Sequence, residues 1–103
     1  MILHAFALKN RLSGIYERPF CEPYDVKEYA DVLAQSLALA SVEELRRHRE
    51  FDVYCVGTFD SKEGFFVPFQ EFVMSLESLC NSYIAYKENQ DVREEKKDDI
   101  RAA

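Results

Sequence analysis

A chain of 103 residues with 48% hydrophobic content can enclose one modest core, and two separate domains would each be too small to bury enough surface. Its longest apolar run, Ile2 to Leu8 with His4 inside, falls far short of the roughly 20 residues that cross a bilayer, so no membrane span is expected. A net charge of −6 opposes generic attraction to nucleic-acid phosphates, and any contact with DNA has to come from a local basic patch or from base stacking.

Along the chain, Ile2 to Leu8 alternates as a strand, and Lys9 to Gly14 is polar enough for a turn. Ile15 to Phe20 reads as the returning strand of a β-hairpin, with Pro19 marking an edge or a stop because proline cannot donate to a ladder. Asp25 with Glu28 three residues later has the capping-box pattern that opens a helix. Val26, Tyr29, Ala30, Leu33, Leu37 and Ala40 then recur at intervals of three and four, a stripe able to lie on a sheet. Ser41 and Glu44 repeat the capping signature, so the helix bends or restarts there and ends in Arg46-Arg47-His48-Arg49.

Phe51 to Phe59 is the clearest strand, rich in β-branched and aromatic residues. Asp60 to Gly64 forms the following turn, and Phe65 to Val67 the partner strand, stopped by Pro68. From Phe69 onward, Phe72, Val73, Leu76, Leu79, Cys80, Tyr83 and Ile84 trace a second amphipathic helix. Lys87 to Ala103 then holds five basic and six acidic residues with only Val92 and Ile100 as sizeable apolar ones, so this tail extends the helix through charge pairs or frays. The division is a single α+β domain over 1–86 and a charged extension over 87–103. The order β-β-α-β-β-α implies a four-stranded, mainly antiparallel sheet packed by two helices, with the strand order left open.

Both alternating faces of the strands are apolar, Leu3, Ala5 and Ala7 against Ile2, Phe6 and Leu8, and likewise Val53, Tyr54, Cys55 and Val56. With two helices on one side, the other face calls for a cover, and a second copy of the chain in a homodimer is the leading candidate. One helix on each side of the sheet is the alternative.

The chemistry-bearing residues form no catalytic constellation. Cys21, Cys55 and Cys80 are far apart and sit in apolar patterns, as buried free thiols do. There is no Gly-x-Ser-x-Gly elbow, no glycine-rich phosphate loop and no Cys/His spacing for zinc, so neither an enzyme nor a metal or other cofactor is expected. The candidate anion contacts are Arg46, Arg47 and Arg49, joined by Lys9 and Arg11 if the first hairpin lies beside them. Cations at a helix C-terminus equally serve the macrodipole. Tyr16, Phe20, Tyr54, Phe59, Phe65 and Phe66 could stack single-stranded bases if exposed; aromatics in strands are more often core, and the candidates are Tyr16, Phe59 and Phe65, near hairpin ends, with Tyr16 and Phe59 foremost.

Two segments carry a family likeness: Met1-Ile2 through Phe6-Ala7-Leu8 with Ile15-Tyr16-Glu17-Arg18-Pro19-Phe20, and Phe51-Asp52-Val53-Tyr54-Cys55-Val56-Gly57-Thr58-Phe59-Asp60 with Gly64-Phe65-Phe66. Over roughly residues 1 to 80 the chain resembles the small nonstructural protein of gokushoviruses, the tailless single-stranded-DNA phages of the Microviridae. The resemblance implies a non-capsid protein of the host bacterial cytoplasm that favours the switch from duplex replication to single-strand synthesis and packaging. Single-stranded DNA, a viral replication initiator or a host replication protein are the partners that follow from it. The residues by themselves leave a second reading, an acidic homo-oligomeric interaction module that binds a viral or host protein without touching nucleic acid.

Overall fold

The computed structural model describes the backbone of residues 1–102 and the side chains of residues 1–90. Its elements are strands β1 (Ile2–Asn10) and β2 (Phe20–Glu22), helices α1 (Val26–Ala38) and α2 (Val42–His48), strands β3 (Phe51–Asp60) and β4 (Phe65–Ser75), and helix α3 (Leu76–Ala102). The strands form one open antiparallel sheet in the order β2-β1-β3-β4. The α+β class and the four-stranded antiparallel sheet are as expected.

Capping sets the helix starts. The Asp25 carboxylate accepts the Glu28 N–H at 2.8 Å and the Ser41 hydroxyl accepts the Glu44 N–H at 3.2 Å, each satisfying a donor that the first helical turn leaves free. The second cap lets the chain break after Ala38 and restart as α2, giving three helices in place of two.

Two boundaries differ from expectation. The first hairpin closes at Gly14, whose φ of 72° serves the turn, but residues 15–19 make only one bridge, Lys9 to Tyr16. The ladder resumes one residue out of register at Phe6 opposite Phe20, so β2 is Phe20–Glu22, beyond Pro19 rather than before it. Pro68 does not stop β4, which runs on to Ser75. An edge strand tolerates proline because the missing N–H lies on its solvent side. The helix expected from Phe69 therefore starts at Leu76.

The core lies on one face of the sheet. Phe6, Val53 and Cys55 meet Tyr29 and Leu37 of α1, Leu45 of α2, and Leu76, Cys80 and Ile84 of α3. Phe6 and Tyr29 stack with ring centroids 4.1 Å apart, and burial together with the charge of Glu22 pushes the Tyr29 hydroxyl up to a pKa of about 12. All three helices join this one cluster, and the alternative of a helix on each side of the sheet is not what forms. α3 passes through Lys87, where the charged composition begins, without a break in the helix. The charge pairs expected further along that tail lie outside the described side chains. Among the described residues no helix is long and apolar enough to cross a membrane.

Candidate binding face of the sheet

Directly opposed residues of an antiparallel pair project to the same face, so the register sorts every strand residue. On the helix-covered face, Phe6 opposes Cys55 and Leu8 opposes Val53. A bulge then intervenes, because Ala5 opposes Gly57 and Val56 has no partner on β1. Across β1, β3 and β4 the other face carries three rows: Leu3, Phe59 and Phe66; Ala5, Gly57 and Pro68; and Ala7, Tyr54 and Phe72. No residue of the helix core cluster belongs to it.

This open face is aromatic and tightly organised. Tyr16, Tyr54 and Phe72 form a chain of edge-to-face contacts, with centroids 5.5 Å and 5.7 Å apart and interplanar angles of 74° and 77°. The Lys9 ammonium sits 5.2 Å from the centre of the Tyr16 ring and 5.7 Å from that of Tyr54, a cation on two π faces. Ala5 and Ala7 are buried beneath, where larger side chains would lift the rings. Gly57 does the same for Phe66: a Cβ there would lie 2.6 Å from Phe66 Cζ and 2.5 Å from the Val67 carbonyl oxygen, so the ring can cross the strand only over a glycine. Phe66 and Phe72 are about half exposed, and a depression of about 420 Å³ opens between Tyr16, Val56, Pro68, Phe69 and Gln70.

The charge of the molecule is unevenly placed with respect to this face. Glu22 opposes His4, Asp60 opposes Ile2 and Glu71 opposes Cys55, which turns all three to the helix side. Asp52, opposite Lys9, is the strand carboxylate of the open side, and Arg11 neutralises it at 2.8 Å. In a chain of net charge −6, the aromatic face thus holds no unpaired strand carboxylate.

The residues singled out in the sequence fall into three places. Tyr16, Phe59 and Lys9 are on the open face. Arg11 is committed to structure at the end of the sheet, donating to Asp52 and to Ser75 Oγ at 2.8 Å each and to the Arg49 carbonyl, with Glu77 at 3.6 Å. Arg46 and Arg47 lie behind the sheet on α2, beside a cleft of about 750 Å³ that Glu17, Glu43, Glu44 and Glu50 also line. Arg46 pairs there with Glu88 of α3 at 2.6 Å. Arg49 closes α2, its N–H donating to the Leu45 carbonyl at 3.0 Å. The arginines and the rings therefore do not form one stripe.

The sequence alone favours Phe65 over Tyr54 and Phe66, which read as core aromatics, and gives no sign of Phe72; in the fold Phe65 opposes Asp60 and so lies on the helix side. Phe72 was placed in a helix, and only the bulge at Val56 decides which face Tyr54 takes; the signal for Phe66 was Gly57 itself, a glycine inside a strand where another group approaches closely. Among the described residues no group of three or more His, Cys, Asp and Glu is placed to hold a metal ion. Cys55 and Cys80 are buried, which raises both thiols above their ordinary pKa, and Cys21 is exposed. No family model, curated protein or solved structure matches the chain.

Proposed function

We propose that this protein is a binding module that lays single-stranded DNA on the open face of its sheet, and that it serves phage genome replication or packaging in the host bacterial cytoplasm. The observation that carries the reading is the pairing of an aromatic face with local charge: exposed Phe66 and Phe72 and half-buried Tyr16, Tyr54 and Phe59 share a face from which the strand carboxylates are turned away or neutralised. Aromatic side chains on an uncovered sheet stack unpaired bases whatever their sequence, and Lys9 at the rim suits a phosphate. The viral setting comes from the gokushovirus resemblance.

Arg46 and Arg47 have a minor part in this reading, because they stand behind the sheet among glutamates, and Arg49 closes the same helix. The test is a fluorescence-anisotropy titration with a labelled oligothymidine at low salt. Tyr54→Ala and Phe72→Ala are each expected to weaken binding about 5- to 150-fold, the worth of one stacked base. Arg46→Glu with Arg47→Glu should leave it nearly unchanged. With Lys9 as the main phosphate contact, the slope of log affinity against log salt should be shallow, about −0.7.

A second reading, the acidic interaction module that binds a viral or host protein, is favoured by the ion pairs that hold Arg11 and Arg46. Absence of oligonucleotide binding at low salt would select it.

A further inference from the structure

The two edges of the sheet are built very differently. β2 is three residues long, lies between Pro19 and Pro23 and carries Glu22, so it offers almost nothing for another strand to pair with. β4 is eleven residues long, has no Lys or Arg, and carries Glu71 as its single charge. Its apolar side chains are exposed along the strand, with Phe65 at 69%, Val67 at 56% and Phe72 at 55%. Edge strands ordinarily discourage pairing with short length, lysines, prolines or inward charges, and over its eleven residues β4 has only Pro68 and the inward Glu71.

We propose that β4 pairs antiparallel with β4 of a second copy, making a two-fold dimer with one continuous eight-stranded sheet. The occupant follows from charge and from self-complementarity. Two copies of net charge −6 repel over most of their surfaces, and this strip, one carboxylate in eleven residues, is where they can approach.

A two-fold axis perpendicular to the sheet must pass through a residue, because opposed residues share a face. An axis at Phe69 sets Phe66 opposite the partner's Phe72, both on the open side, and Glu71 opposite the partner's Val67. An axis at Glu71 would oppose the two carboxylates. Pro68, opposite the partner's Gln70, costs the new ladder one donor per copy and leaves the other pairs intact. Such an axis keeps both open faces on the same side, so the two aromatic surfaces become one platform of twice the length.

The mass of the full chain in solution, measured by light scattering without DNA, tests the pairing separately from nucleic-acid binding. At tens of micromolar the wild type should run at twice its 12.0 kDa. Phe69→Lys and Gln70→Pro, each on the exposed edge, should halve that mass while keeping the circular-dichroism spectrum of the folded chain. Phe69→Cys in a Cys21→Ser background should form a disulfide-linked dimer under mild oxidation, because the two copies of residue 69 face each other across the axis. A monomeric wild type, or a dimer that persists in both Phe69→Lys and Gln70→Pro, overturns the proposal.

Discussion

Arg11 shows how a residue's chemistry is reassigned by its neighbours. Its guanidinium offers donors in a fixed fork, and the fold supplies acceptors from the α2–β3 turn, from β3 and from the β4–α3 junction, so one side chain ties together segments distant in sequence. Arg11→Ala should cost about 1–3 kcal/mol in denaturant unfolding, since it strands acceptors that a charged donor had satisfied. Arg11→Lys should recover only part of that, because a point charge cannot reproduce the fork. The Arg46–Glu88 pair is exposed on both sides and should contribute less than about 1 kcal/mol. Tyr29 makes a pH prediction. Its hydroxyl ionises near 10 in the unfolded chain and near 12 in the folded one, so the unfolded state releases its proton first as pH rises. The associated stability is fully present below pH 10 and is lost between 10 and 12, and Tyr29→Phe should flatten that part of a stability-against-pH curve. Among the thiols, Cys21 should react with an aromatic disulfide reagent at neutral pH in the native protein, while Cys55 and Cys80 wait for unfolding.

At the scale of elements, what could be read from the chain depended on whether the signal was local. Asp25 with Glu28 and Ser41 with Glu44 fix the helix starts through contacts within one turn, and both caps form where the spacing places them. The run from Phe51 to Asp60 is a strand for equally local reasons. The segment from Phe69 to Ser75 was misread because Phe72, Val73, Leu76 and Leu79 fit helical spacing although the chain is still in a strand up to Ser75; a strand passing directly into a helix, with no turn between, offers no punctuation. Pro68 misled for a related reason: whether proline ends a strand depends on whether that strand is at an edge, which only the order β2-β1-β3-β4 reveals. Gly57 sits where β1, β3 and β4 come together, under the Phe66 ring and against the Val67 carbonyl. Gly57→Ala should cost about 1–3 kcal/mol as overpacking, since the backbone carbonyl cannot swing aside like a flexible side chain. It should also weaken oligonucleotide binding by displacing Phe66.

For the whole molecule, the apolar character of both strand faces gives the expectation of an uncovered face, and the fold keeps it: helices α1, α2 and α3 crowd into one cluster while Tyr54, Phe66 and Phe72 stay open on the other side. The candidate stripe of Lys9, Arg11 and Arg46 was not legible as a failure in the sequence, because it required knowing that α2 packs behind the sheet. Acidity and a nucleic-acid role are compatible only if the charge is segregated, and the bulge at Val56 helps to do this by setting which strand residues face the helices. The most direct measurement is an amide chemical-shift map of the isotope-labelled full chain titrated with oligothymidine. Shifts concentrated at Lys9, Tyr16, Tyr54, Phe59, Phe66 and Phe72 are the expected outcome. Shifts confined to Arg46, Arg47 and Arg49 on the opposite side, or no shifts at low salt, would contradict a binding face on the open sheet.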